Sequence, residues 1–257
     1  MSANPRHAAA PSRSGAQPVF DSSHATRPSL GPEEAQARIL ADLQAAARES
    51  ALRAADPGLR QRVQAVKAYQ RHRLEASYAD FLADRRHARA VRFFIDELYS
   101  PQDSAQRHAQ IASIVPTLVR AFPRELVDTV AALAAWHALS ESLDSGMGRR
   151  LDEDTLSPQG YETAWRAEGR AADRRRQVEL MLDIGRRLDR HARDPLLMGS
   201  LRLMRGPALF AGLGGLQQFL ESGLDAFATM RGAERLLAAI EQREHALAIA
   251  LSDPLHP

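Results

Sequence analysis

The sequence of 257 residues contains no cysteine, a single lysine and few aromatic residues. Without cysteine the chain can form no disulfide, no thiolate metal site and no cysteine nucleophile, and this composition is typical of a cytoplasmic protein. Aromatic residues make up 5% of the chain, and β-branched residues are sparse beside Ala, Leu and Arg. Because Ala, Leu and Arg favour helices, we predict an all-α protein, a multi-helix bundle of about eight to ten helices.

A large excess of positive charge is also missing, although the sequence pI is about 9.4. The net charge is +2, and Lys67 is the single lysine, so few groups titrate between the histidines and about pH 10. A small excess of arginine therefore moves the pI a long way. Beyond residue 31 the chain carries 31 basic and 31 acidic residues. Nucleic-acid-binding surfaces show a cationic excess, so we expect no nucleic-acid partner.

Apolar runs long enough to cross a bilayer, about 18 residues, are absent from the sequence. The nearest candidate, residues 195–220, is interrupted by Arg202, Arg205 and Pro207, each costly at a bilayer centre. We therefore expect this apolar segment in a protein core and expect no membrane partner. Residues 1–31 are rich in Ala, Ser, Pro and Arg, which predicts a disordered tail.

One internal boundary stands out in the helical remainder of the chain. The stretch GMGRRLDEDTLSPQG, residues 146–160, combines glycines, a proline and three acidic residues between two helical patterns. It divides the chain into an N-terminal half, residues 32–150, and a C-terminal half, residues 151–257. We expect the two halves to pack together as one domain.

The motif RFFIDELYSPQD, residues 92–103, places an aromatic pair next to an acidic pair. At 100° per residue its apolar side chains share one face with Val91, which predicts a core role for Phe93 and Phe94. Glu97 lies at the edge of that face. Two interpretations stay open: a structural contact with Arg107 or with the start of the next helix, or a contact with a ligand. The structural contact is favoured, because isolated carboxylates at helix ends usually cap or pair.

The stretch FFIDELY resembles the FFLEELY motif that names a family of uncharacterised bacterial proteins, with Ile95 and Asp96 as conservative departures. The second half resembles the same family in YETAWR, in LRLMRGPALFAGLGGLQQFLESGLDAF and in IEQRE. The resemblance covers roughly residues 57–245. It implies an α-helical bacterial protein of unknown activity and supplies no catalytic residues.

The strongest metal candidates are His137, Glu141 and Asp144, which are spaced i, i+4, i+7 on one side of a helix. The competing interpretation is an ordinary polar flank beside the buried Trp136. A di-iron bundle needs paired Glu-x-x-His units, and the sequence contains none. Phosphate-loop, dinucleotide and G-x-S-x-G motifs are missing as well. We therefore expect no cofactor.

Arg205, Gln217 and Glu221 are polar residues inside the apolar segment that we expect to be buried. Buried charges must be paired, so an Arg205–Glu221 ion pair is one interpretation. The alternative is that Arg205 binds an anionic ligand inside an apolar cleft, with Gln217, Glu221 and Glu97 as further ligand-binding candidates.

These patterns favour a non-enzymatic interaction or scaffold module that binds a protein partner or itself. The last helix could supply the surface, through Leu237, Ile240, Leu247 and Leu251. The alternative is a small-molecule binding protein or enzyme with an apolar pocket near Arg205.

Overall fold

The computed structural model describes residues 31–98, 105–152, 156–210 and 212–252, and every regular element in these ranges is helical. The N-terminal half contributes α1 (Pro32–Ala55), α2 (Pro57–Ser77), α3 (Ala79–Ala83), α4 (Ala88–Phe93), a π-helical turn (Phe94–Leu98), α5 (Ala105–Ala121) and α6 (Arg124–Gly148). The C-terminal half contributes α7 (Pro158–Glu168), α8 (Ala171–Ala192), α9 (Pro195–Leu203), α10 (Arg205–Phe210), α11 (Gly214–Met230) and α12 (Glu234–Ser252). The predicted all-α multi-helix bundle is confirmed. Residues 1–30 of the predicted tail lie outside the described part.

Local sequence signals explain where several helices begin and end. Asp56 lies between α1 and α2, and its Oδ1 accepts a hydrogen bond from the Leu59 amide at 3.0 Å. Pro57 occupies the first position of α2, where its missing amide hydrogen costs nothing. Gly169 ends α7 with φ of +66°, a conformation that glycine adopts without strain. Helix α7 therefore ends before α8 begins, and residues 158–192 form two helices.

Helix α6 is the central element of the bundle, because residues on nearly all of its faces are buried. Helix α1 runs parallel to it, since Glu49 and Arg149 meet near the carboxyl ends of both helices. Helix α8 runs antiparallel to it, since His191 of α8 reaches Thr129 and Gln177 reaches Ser140. A helix that is apolar on most sides must be surrounded, so the order of neighbours around α6 fixes the bundle.

The FFIDELY motif packs the N-terminal half against α11. The Phe93 ring lies 5.2 Å from the Phe219 ring, and the Phe94 ring lies 5.7 Å from the Phe227 ring. A Cβ added to Gly223 would come within 2.8 Å of the Phe93 ring, so glycine allows this close approach. The predicted core role of Phe93 and Phe94 is confirmed, and one apolar core contains side chains from both halves of the chain.

We expect Phe94→Ala to lower the free energy of unfolding by about 3–5 kcal/mol, because the ring is 6% exposed and its removal leaves a cavity. Ile249→Ala is the matched control, since that side chain is 71% exposed, and its effect should stay within about 0.5 kcal/mol. Urea unfolding followed by circular dichroism measures both. Equal losses in the two variants would contradict the core assignment.

Candidate functional site

A group of buried polar side chains lies where α1, α2 and α6 meet, and we call it the buried ionic cluster. Each of its members is less than 9% exposed, which is unusual for charged residues. The members are Arg53, Lys67, Gln70, Glu141, Asp144 and Ser145.

Glu141 is the centre of this cluster. One of its carboxylate oxygens accepts a hydrogen bond from Arg53 of α1, and the other accepts one from Lys67 of α2. Burial alone would raise the pKa of Glu141, but the positive charges of Lys67, His137 and Arg53 together lower it below its usual value. Glu141 is therefore a carboxylate in the folded protein and joins three helices through its two oxygens.

Asp144, one turn further along α6, has a different environment. The Gln70 side-chain amide donates a hydrogen bond to its Oδ1 at 3.1 Å. Complete burial raises the pKa of Asp144 to about 6, and the neighbouring negative charge of Glu141 raises it further, while Lys67 acts in the opposite direction. Two carboxyl groups three residues apart thus differ in the protonation state that the fold favours.

Arg174 of α8 extends the polar region toward α7. Its guanidinium carbon lies 3.6 Å from the centre of the Trp165 ring, and the side chain is 4% exposed. Burial lowers the pKa of Arg174, and burial raises the pKa of the neighbouring Tyr161 phenol. The arrangement stacks a buried cation on an aromatic ring, a structural contact that holds α8 against α7.

Ser145 contributes a hydroxyl group to the cluster, and its Oγ accepts a hydrogen bond from Arg53 at 2.8 Å. A serine nucleophile needs a neighbouring base that takes its proton, and a guanidinium cannot act as that base. The cluster therefore has the chemistry of ion pairing and hydrogen bonding among helices.

The structure brings together two of the three predicted metal ligands, Glu141 and Asp144, with His137 half-buried close enough to influence the charge of Glu141. Their polar neighbours are cations and an amide. Within the described residues, no group of three or more His, Asp or Glu side chains has an arrangement that could hold a metal ion. Metal binding by this trio stays a prediction, and it would require Lys67 and Arg53 to release Glu141.

Of the predicted ligand-binding residues of the C-terminal half, Arg205 and Glu221 form an ion pair, and Gln217 is buried beside it. Arg205 Nε donates to Glu221 Oε1 at 2.7 Å, and the Gln217 side-chain amide donates to the same oxygen at 2.8 Å. The expectation that Arg205 is buried is wrong, because its side chain is 61% exposed. The side chain of Glu97 lies outside the described residues.

The expectation that the whole segment 195–220 is core is also wrong. Helices α9 and α10 are short and pack through one face only, which contains Leu197, Leu201 and Ala208. Four large apolar side chains of these two helices are 72–97% accessible, and we call them together the exposed apolar face: Leu196, Leu203, Leu209 and Phe210. Large apolar surface of this kind marks binding sites more often than chance.

The last helix does not supply the predicted surface. Leu237, Ile240 and Leu251 are buried, because α12 packs against α8 and α7, and Leu247 packs against a smaller apolar cluster. Its large exposed apolar residue is Ile249, 71% accessible.

An apolar cavity of about 30 Å³ lies between α2, α4, α8 and α12, next to the FFIDELY motif. It has room for about one or two water-sized molecules. Its lining residues are Leu74, Tyr78, Val91, Phe94, Ile95, Met181, Leu236 and Ile240, and Arg205 is not among them.

Sequence reasoning missed the cationic partners of Glu141, although a signal was present. On α2 the buried side chains Val63, Val66 and Leu74 set the stripe that faces α6, and Lys67 and Gln70 fall on that stripe. Arg53 likewise continues the buried stripe of α1. A charged residue on an apolar stripe predicts a buried partner on the facing helix.

The fold and the cluster define an all-α protein whose central polar groups pair with one another. The chain belongs to the family described as a domain of unknown function (DUF8198), which matches residues 49–254. That range begins inside α1 and includes the buried ionic cluster and the exposed apolar face. No curated protein and no solved structure matches the chain. Among the described helices, none is both long and apolar enough to cross a bilayer.

We expect Glu141→Gln to lower the free energy of unfolding by about 3–5 kcal/mol, because it removes the negative charge that faces two buried cations. Asp96→Asn provides the matched control, since it removes the exposed partner of Arg71 and should cost about 0–1 kcal/mol. Urea unfolding of both variants is the measurement. If Glu141→Gln lowered the free energy of unfolding no more than Asp96→Asn does, the cluster would contribute little to stability.

Asp144 should make stability depend on pH in a defined direction. Its folded-state pKa of about 6 lies above the ordinary value of 3.8. The stabilisation of the folded state by protonated Asp144 is therefore complete below about pH 4, and it is lost as the pH rises to about 6. Asp144→Asn lacks this titration. Relative to wild type, the variant should therefore gain up to about 3 kcal/mol of unfolding free energy between pH 4 and pH 7. A difference that does not change with pH would contradict the raised pKa.

Proposed function

We propose that this protein is a non-enzymatic interaction or scaffold module that binds a protein partner through the exposed apolar face of α9 and α10. The observation that carries the proposal is the accessibility of Phe210, 97%, and of Leu196 and Leu203, each above 80%. Elsewhere in the described chain, most leucine and phenylalanine side chains are buried or half-buried, and Leu52 is the exposed exception. Burying apolar surface stabilises by about 25 cal/mol per Å², so a partner that covers this face gains binding free energy.

The buried ionic cluster supports the non-enzymatic part of the proposal. Its charged groups face one another inside the bundle, where Glu141 meets Arg53 and Lys67, and Asp144 meets Gln70. Groups used in this way hold helices together and are not accessible to a substrate from solution. The shared apolar core further supports our proposal that residues 32–150 and 151–257 form one domain.

The alternative function, a small-molecule site near Arg205, has less support. Arg205 lies at the surface with Glu221 as its partner, and the apolar cavity lies near Phe94 and Tyr78. That cavity is much smaller than the roughly 300–1,000 Å³ of common ligand pockets.

We also propose that the chain is a cytoplasmic bacterial protein related to the FFLEELY-motif family. The resemblance over residues 57–245 lies inside the matched family range of 49–254. The absence of cysteine from the sequence is compatible with a reducing compartment.

A photo-crosslinking amino acid placed at Phe210 tests the interaction function in the cell. We expect irradiation to join the chain to another protein molecule, because Phe210 is the most exposed side chain of the proposed contact surface. The same amino acid at Ile249, 71% exposed on α12, is the matched control and should give no adduct. The absence of a protein adduct at Phe210, in a folded protein at its natural level, would contradict the proposed function.

A further inference from the structure

The amino-terminal part of α1, residues 32–48, contributes a narrow apolar stripe to the bundle. The stripe residues Ala35, Ile39, Leu43 and Ala46 are each at most 6% exposed, and their spacing is i, i+4, i+8 and i+11. Helix α1 packs against α5 and α6. Because α1 runs parallel to α6, and α5 ends where α6 begins, residues 32–48 lie against the end of α5 and the start of α6.

The surface of α5 and α6 beneath residues 32–48 is apolar, and we call it the α5–α6 groove. The core residues of these two helices include Val115 and Leu118 of α5 and Leu126 and Val130 of α6. They belong to the same apolar core as the α1 stripe. A groove of this kind binds one face of an amphipathic helix.

The two ends of α1 are held in different ways. Near its carboxyl end, Glu49 accepts a hydrogen bond from Arg149 at 2.9 Å, and Arg53 bonds to Glu141 and Ser145. Within the described chain, no side chain of residues 32–48 is hydrogen-bonded or ion-paired to another helix. Apolar contact alone therefore holds this part of α1 in the groove.

Asp42 is an imperfect residue for this contact. It lies at the edge of the stripe, one turn from both Ile39 and Ala46, and its Oδ2 is buried without a hydrogen-bond partner among the described residues. Burial raises the pKa of Asp42, and the charge of Arg38 acts in the opposite direction. A buried carboxyl oxygen without a donor is costly, so an uncharged side chain at this position would bind the groove more tightly.

Residues 32–48 also stand apart from the rest of the described chain. The matched family range begins at residue 49, so it contains both helices of the α5–α6 groove but not the segment that covers them. No described helix precedes α1. This segment can therefore leave the groove without displacing another described helix.

We propose that the α5–α6 groove is a docking site for an amphipathic helix of a partner protein, and that residues 32–48 cover the groove until the partner displaces them. The partner helix carries apolar side chains at the i, i+4, i+8 and i+11 spacing of the α1 stripe and an uncharged side chain at i+7, the position of Asp42. The groove does not involve α9 or α10, so the inference goes beyond the proposed function.

Hydrogen exchange of the full-length chain, read by mass spectrometry, tests whether the cover opens. We expect interior amides of residues 37–48 to exchange at least about 10-fold faster than interior amides of α6, because this segment opens without global unfolding. Asp42→Leu should slow their exchange by at least about 10-fold, since it removes the unpaired carboxyl group. Gln44→Leu is the matched control, because residue 44 is exposed on the same helix, and it should change their exchange by less than about 3-fold.

Synthetic peptides of residues 31–50 test whether the groove accepts a helix from another molecule. The full-length Ile39→Asp variant is the receptor, because the new charge expels its own α1 segment from the groove. We expect the Asp42→Leu peptide to bind this receptor with a Kd at least about 10-fold lower than that of the wild-type peptide. The Leu43→Asp peptide is the control and should not bind. Wild-type protein should bind the Asp42→Leu peptide more weakly than the Ile39→Asp variant does, because its own α1 competes.

Three results would each overturn the proposal: exchange of residues 37–48 as slow as that of α6, no binding of the Asp42→Leu peptide by a folded Ile39→Asp variant, or equal binding of the Leu43→Asp peptide. A dimer of the wild-type chain that Ile39→Asp abolishes would also overturn it, since the groove would then hold α1 of a second copy. If circular dichroism shows that Ile39→Asp does not fold, the exchange of wild type, Asp42→Leu and Gln44→Leu decides the matter. The crosslink at Phe210 reports on α9 and α10 alone, so failure of one proposal is distinguishable from failure of the other.

Discussion

The negative charge of Glu141, held inside the bundle between a guanidinium and an ammonium group, is the interaction on which the packing of the first half depends. The three groups come from α6, α1 and α2, and each would be costly to bury alone. Because a buried charge must find its partner, the arrangement of these helices is more restricted than apolar packing alone would make it. An apolar side chain can pack against many different neighbours, but buried Arg53 and Lys67 each need a negatively charged or hydrogen-bonding partner.

The position of Glu141 on α6 matters as much as its charge. Helix α6 is surrounded on nearly all sides, so polar groups on it have little access to water. Asp144 lies on the same helix but faces an amide of α2, and burial raises its pKa to about 6, so the neutral form is favoured below that pH. The pKa values of the two buried carboxyl groups therefore shift in opposite directions, because Glu141 is hydrogen-bonded to two cations, whereas Asp144 is hydrogen-bonded to a neutral amide and nearby Lys67 only partly offsets the effect of burial.

In the second half of the chain, the apolar side chains of α9 and α10 are less completely buried than those of the other helices. Helices α9 and α10 are short and are separated at Met204. Helix α9 packs against α8 and α11, and α10 packs against α9 and α11. Two short helices cannot bury all of the apolar residues that the segment carries, so Phe210 and its neighbours face outward. The molecule thus combines a buried ionic cluster inside an apolar core with large apolar side chains exposed on α9 and α10, where we propose that a partner binds.

The sequence by itself determined the helical class, the break at Asp56–Pro57 and the core role of Phe93 and Phe94, because helix propensity, capping and 3.6-residue periodicity are local properties. It also placed Glu141 and Asp144 on one side of one helix. Only the tertiary structure decided that their partners are Arg53, Lys67 and Gln70, since these residues lie more than seventy positions away along the chain. It also decided that Phe210 is exposed while Phe227 is buried, because burial depends on which helices surround a residue, and no local pattern contains that information.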